Sequence, residues 1–268
     1  MGAKIFIFVS VPIVFGNALK LDLELGQANV WPFLLMWMVL LSDDGKYKTL
    51  PKNFGKLVLN AFFLALAIQF KLYCILFVPI LFLKRRFSLL FATLGATGFT
   101  LFLVPGLTHS FEFVMGENQA WINSLFQSSK ELLASPYNVG MMGVLAKWGF
   151  HAFAIYLVSA LGLCVLAIPL YKSSKNSAQS FTWVCFAIVL FNPLVWSYWV
   201  WFLIPALLAV ICDFKRLSHG ERWLLLVPFL FFNMQHARVA WNGGILMGVL
   251  VLLFLFYRVE LRRSILLR

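Results

Sequence analysis

Residues 64–86 read LALAIQFKLYCILFVPILFLKRR. The apolar run extends back to Leu57, and between Leu57 and Leu83 its only charge is Lys71. A charge at the centre of a membrane segment costs about 2.5–3.5 kcal/mol on insertion scales, which makes it a functional-site candidate. The chain enters the run after Lys56 and leaves it at Lys84-Arg85-Arg86. Two arms of about thirteen residues each reach about 20 Å, so Lys71 is expected at the tip of a hairpin that stops short of the far surface. Irregular backbone at that depth is tolerated only against protein or a water-filled cavity. The segment predicts that Lys71 lines a cavity open to the outside, where its ammonium meets an anion. The alternative is a lysine that merely snorkels to the interface.

Working outward, the rest of the chain has the same character. Of its 268 residues 62% are hydrophobic and 12% charged, with a mean hydropathy of +0.89. A soluble domain carries about a quarter charged residues, and no interior of this size would hide so much apolar surface. The surplus must face lipid. The predicted fold is therefore all-α, a single polytopic membrane domain over 1–268 with about eight to ten transmembrane or half-membrane helices. Apolar segments run over 5–16, 29–41, 57–70, 72–83, 88–107, 150–171, 180–191, 194–212, 223–233 and 243–257. Several are too short to cross a hydrocarbon core of about 30 Å as helices and read as half-helices or re-entrant turns.

The net charge of +12 raises the question of nucleic acid, and its distribution answers it. Apart from Lys20, Lys71, Lys130, Lys147 and Arg238, every Lys and Arg lies at Lys4 or in 42–56, 84–86, 171–176, 213–222 or 258–268. These are short clusters at membrane boundaries on one side. They predict both termini in the cytoplasm and give no continuous basic face for a nucleic acid. Cys74, Cys164, Cys185 and Cys212 are scattered through apolar spans without a CxxC pair, and read as small hydrophobes. No two His, Asp or Glu have metal-ligand spacing, so neither a metal nor another cofactor is expected.

The longest connection, 109–149, falls on the outer side. It mixes Phe, Trp and Leu with Glu, Gln and Ser at helical spacing, which predicts an amphipathic helix at the interface. A second break stands at Asn192-Pro193-Leu194-Val195-Trp196-Ser197-Tyr198-Trp199, where Pro193 ends one helix. Its aromatics, Trp196 and Tyr198 among them, read either as an interface belt or as a wall for a sugar ring or prenyl chain. Two outer loops carry polar groups: Asp22, Glu24, Gln27 and Asn29 in one, Gln235, His236 and Arg238 in the other. His236 and Arg238 suit a phosphate or a hydroxyl-rich ligand.

GQAN at 26–29 opens an apolar helix. A basic loop follows, then the stretch ending in Lys71, the helix with Pro79, SPYNVGMMGVL at 135–145, and NPLVWSYWVWFLIPAL at 192–207. In that order the chain resembles the membrane glycosyltransferases of family 87, enzymes of the GT-C superfamily that take a sugar, often mannose, from a polyprenyl phosphate donor. The resemblance implies a GT-C-like helical fold in a bacterial inner (plasma) membrane with its active site on the outer face, and membrane lipids as neighbours. It places Lys71 at the family's lysine, Gln27 and Asn29 at its GQ-N motif, and Asn138 at the Asn before its mid-chain small apolar helix. Asn192 departs from the Ser of the family's second proline motif. Family members are longer and carry a catalytic Asp or Glu in the first outer loop. The resemblance thus implies a chain that lacks the N-terminal part, inactive alone or completed by a separate N-terminal segment. Asp22 and Glu24 are the nearest substitutes, with Glu112, Glu117 and Glu131 also on the outer side. A transporter or flippase of lipid-linked sugars shares the broken helices and mid-membrane charge, and a non-catalytic membrane subunit is the third reading.

Overall fold

The computed structural model describes Phe15, Lys20 and residues 29–42, 54–173, 177–233 and 242–266. Among these the chain is mostly helical, with no strand and one isolated antiparallel bridge, Asn138 to Trp196. The all-α membrane expectation holds. Phe87–Gly106, Ala152–Lys172 and Gly243–Arg263 are long and apolar enough to cross a membrane, and five shorter apolar helices accompany them. Only 11% of the most apolar window of Ala152–Lys172 is buried, so its apolar surface is left for lipid. The predicted segment 5–16 lies outside the described residues except for Phe15.

Contacts divide the chain into two compact units. One comprises Ala28–Leu132 and Cys164–Val184, the other Met1–Gln27, Leu133–Leu163 and Cys185–Arg268.

In the first unit, α1 (Val30–Ser42) and α2 (Phe54–Phe70) pack together, and α2 also packs along α4 (Phe87–Gly98). The inward face of α2 carries Ala61, Leu64, Ala65, Ala67 and Ile68, mostly small side chains that let helices approach closely. Phe54, Val58, Leu59 and Phe62 point outward. After α2 comes a 3-10 stretch, Leu72–Phe77, and then α3 (Val78–Leu83), whose first turn contains Pro79. Residues 84–86 reverse the chain: Arg86 N–H donates to the Leu81 carbonyl at 2.7 Å, and Arg85 takes φ 55°. The bond across five residues and the left-handed residue form a helix C-terminal stop, made here without the usual glycine.

The helix from Phe87 does not stay regular. It widens to a π-turn over Phe99–Leu103 and ends at Val104–Gly106. Pro105 has no N–H for the Leu101 carbonyl four residues back. Asn118, on α5 (Phe111–Glu131), supplies one instead, donating from Nδ2 to Leu101 at 3.1 Å and to Val114 at 2.9 Å. The connection 109–149 therefore contains a helix where one is predicted. Its apolar face shows Phe111, Met115, Ile122 and Phe126 exposed, with Val114 buried.

In the second unit α6 (Met141–Lys147) precedes α7 (Ala152–Lys172), and α8 (Ser177–Phe191) ends before the second proline break. The unit boundary falls inside both α7 and α8. A 3-10 stretch (Ser197–Leu203) leads into α9 (Ile204–Cys212). Next come α10 (His219–Leu224), α11 (Leu226–Asn233) and α12 (Asn242–Leu266). Gly244 and Gly248 of α12 lie against Phe231 and Phe232, where an added Cβ would come within 2.5 and 2.9 Å of the rings. This is the small-residue spacing that brings apolar helices together. The predicted segment 223–233 is two helices. α10 begins earlier, at His219, because Ser218 and Glu221 form a reciprocal capping box.

Candidate functional site

In the first unit Lys71 stands where the sequence put it, at a break. α2 ends at Phe70, and Lys71 has extended dihedrals, φ −150° and ψ 111°. The direction of the chain on either side follows from its contacts. The Tyr73 hydroxyl donates to Asn29 Oδ1 at 3.1 Å, at the start of α1. Phe77 meets Phe181, and Phe181 also meets Phe33 and Trp37, further along α1. Successive residues after Lys71 thus follow α1 in its own direction, while α2 runs against it. The chain folds back at Lys71, as a hairpin requires. Gln69 bonds Thr100, which ties the tip to the π-turn. Tyr73, Cys74 and Phe77 turn inward, Phe70, Leu72 and Ile75 outward, and Lys71 is partly buried between them.

The Tyr73 bond thus brings Asn29, a predicted site residue, to a point two residues along the chain from Lys71. Asn29 is wholly buried.

The second break, in the other unit, is built differently. Asn138 is 1% exposed and its amide is used on backbone. Its Nδ2 donates to the carbonyls of Leu133 (2.9 Å) and Pro193 (2.7 Å), and its Oδ1 accepts from Val195 N–H (3.0 Å) and Gly140 N–H (3.4 Å). Val139 N–H adds a bond to the Val195 carbonyl at 2.7 Å. Gly143 is required beside this amide, since a Cβ there would come within 2.3 Å of Asn138 Cγ. Asn138 stitches the two stretches carrying the motifs at 135–145 and 192–207. Trp196, partly buried, bridges to Asn138 and begins the next 3-10 turn. Its ring lies 6.5 Å from that of Tyr137, which is 70% exposed. Tyr198 falls in the same 3-10 stretch.

Lys147 is a residue that sequence reasoning passed over. Its Nζ donates to the Asn138 carbonyl at 2.6 Å. Burial lowers its pKa from 10.5 to about 8, since a partly desolvated ammonium loses hydration. The signal available was a lysine at the end of the helix following Asn138. Asp22, Glu24, Gln27, His236 and Arg238 lie outside the described residues.

The model of glycosyltransferase family 87 matches residues 2–195, a stretch that includes the break at Lys71 and the start of the second at Asn192-Pro193. The chain belongs to that family. Family 87 proteins are membrane glycosyltransferases, and in general they use lipid-linked sugar donors. The match takes in the GQAN stretch, Lys71 and Asn138, and stops one residue before Trp196. No curated protein and no solved structure matches the chain significantly.

Proposed function

We propose that this family 87 chain transfers a hexose, mannose by the family's habit, from polyprenyl phosphate to an acceptor hydroxyl at the outer face of the membrane, and that Lys71 receives the leaving phosphate. The observation that carries this reading is Lys71 itself. It is the one charge of an apolar hairpin, set at the extended residue where the chain turns back. In the reaction the bond from the anomeric carbon to the phosphate oxygen breaks while a bond to the acceptor oxygen forms. The acceptor proton passes to a carboxylate, for which Asp22 and Glu24 are the candidates. The phosphate gains charge as it leaves, and an ammonium held beside it in a low-dielectric site favours the transition state over the ground state. Tyr73 and Asn29 act as positioning residues, fixing the backbone on which Lys71 is carried. Trp196, Tyr198, Gln27, His236 and Arg238 are proposed as further donor- or acceptor-binding residues.

The test is transfer of labelled mannose from polyprenyl phosphate in membranes holding wild type or Lys71→Ala at equal amounts. Loss of one such electrostatic contact is expected to lower transfer about 100-fold or more. Equal transfer by both proteins removes Lys71 from the reaction. Sugar delivered across sealed vesicles without any glycosyl product would establish a flippase instead.

A further inference from the structure

At the end of α9 and α12, where the basic clusters gather, the chain builds a surface that the transfer reaction does not use. Asp213 and Glu221 are already taken by arginines. Glu221 accepts from Arg258 Nε at 2.9 Å, Arg262 Nη2 at 2.9 Å and Ser218 N–H at 2.7 Å. Burial alone would raise its pKa, but the Ser218 amide, Arg258, the Ser218 hydroxyl and Arg262 hold it down at about 2. Asp213 pairs with Arg216 and Arg263, and Arg263 also with Glu260. Over 213–222 and 258–263 the cations Lys215, Arg216, Arg222, Arg258, Arg262 and Arg263 outnumber these three carboxylates. The surplus is exposed at Lys215 and Arg222.

Arg222 is held in a fixed pose. Its guanidinium lies over the Phe214 ring at 5.2 Å, and Nε and Nη2 donate to the carbonyls of Leu217 and Lys215, each at 3.1 Å. Beside Arg222 opens an apolar groove of about 470 Å³, lined by Ile211, Phe214, Trp223, Leu226 and Phe229. Trp223 is 61% exposed, and its Nε1 donates to His219 Nε2 at 3.0 Å, which orients the indole along the rim. Leu226 and Leu230 continue the exposed apolar surface along α11. An apolar slot continuous with a lipid-facing helix, with cations and a tryptophan at its mouth, matches a lipid in both parts: chain in the slot, headgroup at the cations.

We propose that this groove binds an anionic phospholipid of the leaflet it faces, with one acyl chain along Phe214, Trp223 and Phe229 and the phosphate at Arg222 and Lys215. The proposal does not depend on the transferase reading.

The full chain, reconstituted in phosphatidylcholine bilayers with and without phosphatidylglycerol and then extracted, is analysed by native mass spectrometry for bound lipid. Selective retention of phosphatidylglycerol is expected. Lys215→Gln should lower it about fivefold, the contribution of one basic residue near an anionic surface, and Trp223→Ala should lower it as well. Because Lys215 is an exposed side chain, that variant tests the site even if Trp223→Ala fails to fold. Equal retention of both phospholipids, or retention unchanged in Lys215→Gln, overturns the proposal. Displacement of phosphatidylglycerol by inorganic phosphate alone, or preferential capture of polyprenyl phosphate, overturns the assignment to a phospholipid.

Discussion

Each unit breaks an apolar helix, and the two breaks spend their polar atoms in opposite ways. At residues 133–147 and 192–196 a buried amide is consumed by the backbone: Asn138 donates twice and accepts twice, and so holds two distant stretches in register. At residues 70–73 the backbone is carried by neighbours. Tyr73 anchors to Asn29, while Lys71 stands partly exposed at the turn. The break at Asn138 makes a joint and the break at Lys71 presents a charge. A polar residue inside an apolar span therefore does not announce which role it has; its partners do.

The sharpest way to break this comparison is Asn138→Ala. It strands the N–H groups of Val195 and Gly140 and the carbonyls of Leu133 and Pro193, so a loss of about 2–4 kcal/mol is expected in thermal denaturation of the detergent-solubilised protein. A loss below about 1 kcal/mol would mean that Asn138 is not a joint. Tyr73→Phe removes one neutral hydrogen bond and should cost about 1 kcal/mol by the same measurement.

A pH titration of stability probes Lys147, which caps the joint. Its folded pKa lies below its unfolded one, so between about 8 and 10.5 the folded chain binds fewer protons than the unfolded chain. Stability should rise with pH across that window, as the cost of keeping the ammonium partly buried disappears. Lys147→Met should flatten that part of the profile. The smallest stability effect is expected for Lys71→Met, within about 0.5 kcal/mol, even as transfer is lost. A larger drop would make Lys71 a structural residue like Asn138 and erase the contrast.

The helices were readable because lipid imposes them: a run that cannot expose its backbone must satisfy it internally. Lys71 was readable because it stands alone in its run, and its position midway between two basic boundaries gave the hairpin. The use of Asn138 was not, since its partner Pro193 lies 55 residues away and nothing local marks the pairing. Lys147 was hidden for the same reason, as its depressed pKa comes from burial that only the assembled joint creates. The extra helix at His219–Leu224 is legible in Ser218-His219-Gly220-Glu221, a capping signature inside the basic stretch 213–222.

Pro105 leaves a carbonyl of its own helix bare, and Asn118 reaches across to fill the vacancy. The interruption in one rod thus becomes the pivot of another. α5 has 21 residues and so extends about 30 Å. A tilt of about ten degrees at that pin would carry Glu131, about 20 Å beyond Asn118, by about 3 Å. Any force that straightens the π-turn will therefore be felt most at Glu131, the end farthest from the pin.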